Sequence, residues 1–311
     1  MAQKFWRKKV LLAKTETTYG TDATPTGAAN AILCTNVSLT PLEAQEVGRE
    51  LDTPYLGAQP DILVGRHSSL SFEVELAGSG TAGTAPAWGP LMIACGFAET
   101  VMAASKVDYD PVSSGFGSVT LVLNIDGTQH RLLGARGNVQ LRAGAGQIPK
   151  LAFSFRGLFT TPTATALPTP NFGAFKDPVP VTDGNTPNFS LNGVSLVMSE
   201  FEIDMGNEVQ GRFLVNQEMI ALTDRRPSGR CNVEMPDLAA FNPYTLAGPP
   251  AQLVALAMTH GTTAGGIVEL AAPKVQVGKP GLSQSQGVTH YALPLKLVPD
   301  QGNDELRITV K

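Results

Sequence analysis

The chain has 311 residues, of which 42% are hydrophobic and only 16% charged. That length allows two ordinary domains with sizeable cores, and the 32 glycines and 23 prolines favour turns and short strands over long helices. A net charge of −4 excludes a global basic footprint for gripping nucleic acid. Cys34, Cys95 and Cys231 are far apart and odd in number, so neither a disulfide framework nor a metal-binding C-x-x-C is implied, and a reduced folding compartment is expected.

The basic start "MAQKFWRKKVLLAKTE" has too short an apolar run for a signal peptide or a membrane span. With the Thr/Gly/Ala stretch "TETTYGTDATPTGAANA" that follows, residues 1–31 read as an N-terminal arm. Period-two alternation then begins. Segment 42–52 reads as a strand, and "SLSFEVELA" (69–77) puts Leu70, Phe72, Val74 and Leu76 on one face. After it comes Gly78-Ser-Gly80-Thr-Ala-Gly83, which spells the dinucleotide fingerprint G-x-G-x-x-G. The fingerprint needs a helix opening at the third glycine and a buried parallel strand after it. Here Thr-Ala-Pro follows Gly83, and only a short helix fits within 86–97, so the motif reads as a glycine turn. Segment 98–117 reads as a Pro- and Ser-marked loop.

"SVTLVLNIDGTQHRLL" (118–133) is a hairpin about Asp126-Gly127, and "LAFSFRGLF" (151–159) is a further strand. The Pro/Thr-rich stretch 160–190 reads as a linker. Strand patterns return at 199–205, 253–270, 290–298 and 305–311, with one more helical segment at 236–247. The order of events is the same in both halves: a long hairpin, one helix, a glycine-centred hairpin and a closing strand. Residues 32–159 and 191–311 therefore read as two tandem copies of one mainly β domain, with long hairpins over about 37–74 and 198–234.

The segments "LLAKTETTYGTDATPTGAANAI" and "GSGTAGTAPAWGPLMIACGF", together with the strand order, resemble the major tail tube proteins of long-tailed bacteriophages. The resemblance is most specific in the first 100 residues. It implies β-sandwich or half-barrel domains, each with a short flanking helix and a long inner hairpin. It further implies self-assembly into stacked rings of six units, around a lumen through which double-stranded DNA passes without specific binding. A duplicated chain would then form trimeric, pseudo-sixfold rings. The implied partners are further copies of the chain, the tape measure protein, and the tail terminator and distal tail proteins. No membrane and no cofactor are implied, and the implied location is the virion tail, with assembly in the host cytoplasm.

No catalytic motif is present, and the four histidines are widely spaced, so an enzyme is not expected. The acids carry more information. Glu46, Glu50 and Asp52 share parity along 42–52, as do Glu200, Glu202 and Asp204 in the second half, and equal parity in a strand means one face. That face is either an ordinary solvated surface or, in a tube, an anionic lumen wall that repels phosphates. The hairpin tips, at Tyr55 and Leu56 and at Arg212 and Phe213, are candidates for contacts between rings. The alternative function is another β-sandwich virion component or a carbohydrate- or cell-surface-binding module. Two Trp and five scattered Tyr supply little aromatic surface for a sugar platform.

Overall fold

The computed structural model describes residues 3–311, so Met1 and Ala2 of the expected arm lie outside the described residues. Strands take 51% of the chain and helices 5%, which makes the protein mainly β as expected. Local sequence accounts for the strands directly. Along Ile62–Glu75, Leu70, Phe72 and Val74 are buried, while Ser69, Ser71 and Glu73 face the other way. Asp126 and Gly127 both adopt positive φ, the tight turn that matches strand twist. They join Val119–Ile125 to Thr128–Gly144.

Antiparallel pairing in the first half runs Thr35–Val47, Ile62–Glu75, Lys150–Phe159, Thr128–Gly144, Val119–Ile125, Lys9–Thr15. The last of these also takes the two-residue strand Ala31–Ile32. Pairing in the second half runs Met198–Asp204, Ser228–Glu234, Val288–Leu297, Val268–Val277, Leu253–His260, Asn188–Leu191. There the last strand takes Val194–Ser195. The short helices Gly89–Ala94 and Pro243–Ala247 fall at corresponding points of the two paths.

Two seams stitch the halves together. Residues 140–144 pair with 200–204, and Val107, Asp108 and Tyr109 pair with Val310, Thr309 and Ile308. One apolar cluster runs through both halves, with Phe72 and Phe155 from the first and Phe201 and Tyr291 from the second. Trp88 and Phe241, each just before a helix, are buried in it.

Several expectations need correction. Residues 9–15 are not an arm: Val10, Leu11, Leu12 and Ala13 form an unbroken apolar run buried on both faces of the sheet. Segment 98–117 is not a loop throughout, because Phe97–Met102 and Lys106–Pro111 pair as a hairpin that buries Val107 and Tyr109. The helix expected over 236–247 is confined to Pro243–Ala247, where Asn242 caps it by accepting from the Tyr244 and Thr245 amides.

The connector 160–190 is strapped down rather than free. Thr163–Ala164 pairs with residues 128–129, the Val181 amide donates to Gln147 O, and the Gly146 amide donates to Val181 O. The glycine turn is where the halves touch backbone to backbone. The Gly80 amide donates to Gly265 O at 2.9 Å, and a Cβ on Gly78 would come within 2.0 Å of that same oxygen.

Because Leu11 is 2% exposed in a strand that closes the first-half sheet, Leu11→Ala should cost about 2–5 kcal/mol. Urea unfolding reads this directly, and removal of residues 1–15 should abolish soluble folded protein.

Candidate functional site

The strands around the seam form one sheet whose inner side is core and whose other side is polar. On that polar side Arg142 sits opposite Lys150 on one neighbour and Glu202 on the other, and Glu202 sits opposite Arg230. The register gathers cations and carboxylates into one ladder, in which Glu73 bridges the facing cations Lys150 and Arg142 and Glu202 lies between Arg142 and Arg230. Lys150 Nζ lies 2.9 Å and Arg142 3.5 Å from the Glu73 carboxylate, and Arg142 Nε and Arg230 Nε lie 3.3 and 2.9 Å from Glu202. These side chains line an open groove of about 630 Å³. Asn232 donates to Glu200, and Asn138, Gln140 and the Gly206 amide donate to Asp204. The hydrogen bond from Lys150 outweighs partial burial and, with Asn36 and Arg142, holds the Glu73 carboxyl below its usual range.

Two long hairpins leave this sheet. The first, Thr35–Val47 with Ile62–Glu75, projects as a two-stranded ribbon beyond its neighbours, leaving Leu42, Val47, Ile62, Leu63 and Val64 exposed. Its loop 48–61 is pinned at the base by hydrogen bonds between Gln59 and the Leu51 backbone, and Tyr55 and Leu56 stand 82% and 106% exposed at its apex.

The second hairpin bends at Gly206, continues as Asn207–Leu214 and Gln217–Arg225, and folds back over the first half. There Phe213 stacks on His67 with ring centroids 5.7 Å apart, against the open face of Gly65. Arg136 donates to Ile220 O, Arg156 donates to Val209 O, and Asn207 donates to Cys95 O. Both hairpins leave the same end of the sheet. The Gln286-Gly287 turn lies at the other end, beyond the His290–Glu234 pairing.

The second-half acids occupy one face as their parity requires, with Phe201 and Ile203 buried on the other. They are compensated by cations and amides, so the face is not a bare anionic wall. The first-half set does not hold together. The strand stops at Val47, where Gly48, Pro54 and Pro60 turn the chain, so Glu46 lies on the ribbon while Glu50 and Asp52 lie in the loop. The second tip also moves. The turn is at Val215-Asn216, and Arg212 and Phe213 are paired in the strand with Met219 and Glu218.

The partners Glu73, Lys150, Arg142 and Arg230 were missed by sequence reasoning. Their alternation with apolar residues marks an outward face, but only the register between distant strands brings them together. Among the described residues, no group of three or more His, Cys, Asp or Glu is placed to hold a metal ion, and no helix is long and apolar enough to cross a membrane.

A family model described as phage tail tube protein matches residues 6–294, nearly the whole chain. The chain belongs to the phage tail tube family. No curated protein matches it. Family membership makes it a structural tail tube protein located in the virion tail.

Because its folded pKa is depressed, Glu73 adds stability that is present above the unfolded value of about 4.3 and is lost as pH falls through the folded value. Urea midpoints of the native chain should therefore drop on acidification below about pH 4, and Glu73→Gln should drop less over the same window.

Proposed function

We propose that the chain is a duplicated tube subunit, three of which close a ring, and that stacked rings form the conduit for DNA ejection. The repeated pairing path carries this reading: residues 32–159 and 191–311 place a long hairpin, a helix and the same succession of paired strands in the same order. If each half is one unit of a six-unit ring, three chains suffice, related by threefold and only approximately sixfold symmetry.

Along the inner sheet the pairing passes through Thr35–Val47, Ile62–Glu75, Lys150–Phe159, Thr128–Gly144, Met198–Asp204, Ser228–Glu234, Val288–Leu297 and Gly281–Ser285. Three such paths bring about 24 strands, and at ~4.8 Å spacing and ~40° tilt they close a barrel roughly 50 Å across at the backbone. After side chains, that leaves room for a nucleic-acid duplex.

In this reading the polar face of Glu200, Glu202 and Asp204 lines the channel. Its central cations, Arg142, Arg230 and Lys150, are each held by a carboxylate. A phosphate backbone gains affinity by exchanging its counterions for free lysines and arginines. Cations already paired offer little to exchange, so the wall lets DNA slide. Glu46, Glu50 and Asp52 sit on the ribbon and loop that meet the neighbouring subunit or ring. The Tyr55-Leu56 apex leaves one end of the sheet on a ribbon that projects beyond its neighbours and so reaches toward the next ring. The partners this reading calls for are a tape measure protein within the channel and terminator and distal tail proteins at its ends.

Cryo-electron microscopy of assembled tubes tests the count. Three chains with six similar but unequal lobes are expected, and six whole chains around the channel overturn the duplication. Glu73→Gln combined with Glu202→Gln should expose Arg142, Arg230 and Lys150 without unfolding the chain. Such tubes should retain DNA in a filter assay, with binding that falls steeply as salt rises, whereas native tubes retain little.

A further inference from the structure

We propose that the two ribbons divide their labour: the second is a fixed buttress, locked onto its own chain, that aims the first, and the first alone reaches outward. That each ring then presents three reaching ribbons rests on the three-chain ring; the buttress itself does not.

The second ribbon is bonded to the first half along its length. Its bend requires glycine, since Gly206 has a φ of +59° and a Cβ there would come within 2.3 Å of Arg226 O. Just beyond the bend, the Asn207 side chain donates to Cys95 O and Gly137 O, and the Asn207 amide donates to Asn138 Oδ1. Further along, Ile220 is wholly buried. Its amide donates to Tyr19 Oη at 2.6 Å, and its carbonyl accepts from Arg136 at 3.0 Å. Arg136 is buried too, stacks on the Tyr19 ring and gives its other hydrogen bonds to Phe116 O and Gly117 O. Lifting the ribbon would take an acceptor from a buried guanidinium, which is costly.

A third lock reads the end of the chain. Arg225, at the base of the ribbon, donates to Glu305 and Asn303 near the C-terminus and to Val112 O in the first half. Glu305 is buried, and among the described residues Arg225 is the cation paired with it. A ribbon that swung away would leave that carboxylate buried and unpaired.

The first ribbon has no such locks beyond its root, and its root is where it bends. Register shifts fall on either side of Glu43, and Gly65 opposite has a φ of +64°. The second ribbon grips this point. Phe213 stacks on His67, a Cβ on Gly65 would lie 3.0 Å from the Phe213 ring, and His67 lies 3.4 Å from the Glu43 carboxylate. Two-stranded ribbons twist more than wide sheets, so a contact at the root decides where the Tyr55-Leu56 apex points.

Site-resolved hydrogen exchange on the isolated chain tests the buttress whatever the ring count. The Ile220 amide should exchange slowly and the amides of 48–61 fast. Tyr19→Phe, which removes only the accepting hydroxyl, should speed exchange at Ile220 by about three- to tenfold. Phe213→Ala should speed exchange across 62–67, and Phe213→Tyr, which keeps the stacking ring, should restore the native rate. An Ile220 amide as labile as 48–61, or no change across 62–67 in Phe213→Ala, overturns the buttress. In assembled protein, Tyr55→Asp with Leu56→Asp should give rings that do not stack, whereas Val215→Asp, at the 91% exposed tip of the second ribbon, should stack like the native chain. Stacking lost in Val215→Asp, or kept in the Tyr55→Asp, Leu56→Asp chain, overturns the division of labour. Six whole chains around each ring, with the exchange results as expected, support the buttress and overturn the ring count.

Discussion

A strand at the border of a sheet carries a row of backbone amides and carbonyls that must be paired, shielded or left to water. That constraint governs this molecule. Along the pairing path of each half the strands between the two ends are paired on both sides. The halves meet by joining the border at residues 140–144 to the border at 200–204. The junction lets a single apolar cluster run beneath strands from both halves, and it gives the polar surface above a continuous register. What remains are two open borders on one face and a first ribbon whose apolar residues have no partner in the chain. A two-stranded ribbon is marginal alone in water, so exposure of Leu42, Val47, Ile62, Leu63 and Val64 marks a structure completed by neighbours.

The charge ladder follows from the same junction. Arg142 belongs to the first half and Glu202 to the second, and only the strand register puts them side by side. Each half-exposed ion pair contributes little to stability in high dielectric. If this face lines the proposed channel, its consequence lies in what the surface offers a passing polyanion. A wall of unpaired cations would hold DNA by counterion release, and a wall of unpaired carboxylates would carry self-repulsion around every ring. Pairing each of these cations with a carboxylate avoids both. The acids that sequence parity singled out therefore matter for the cations they occupy.

The mainly β class, the Asp126-Gly127 hairpin, the core faces of 69–77 and 151–159 and the acid-bearing face of 198–204 were all legible in the sequence, because each follows from period-two alternation or turn chemistry over a few residues. The strand at Lys9–Thr15 was masked by its setting. Its apolar run is short and lies between a basic start and a Thr/Gly-rich stretch, and burial on both faces erases the alternation that would have marked it. The hairpin at 97–111 was hidden by its Ser and Pro neighbours. The ladder was invisible for a different reason. Glu73, Lys150, Arg142, Glu202 and Arg230 come from five strands scattered over some half of the chain, and no local pattern encodes which positions become neighbours. The tip at Val215-Asn216 was missed because its turn lacks the glycine that marks other turns of the chain, Asn216 taking the positive φ instead.

The strapped connector at 160–190 has a kinetic consequence. It keeps the second half within reach of the first from the moment both exist, so the internal junction forms at an effective concentration set by chain geometry, in the millimolar range for short tethers, and does not depend on how much protein the cell has made. Under the ring proposal, alternate junctions are then complete on folding and only the others wait for diffusional encounter. Assembly from three such units passes through fewer incomplete arcs than assembly from six. Fewer open borders are exposed along the way, so there is less time in which two chains can meet in the wrong register.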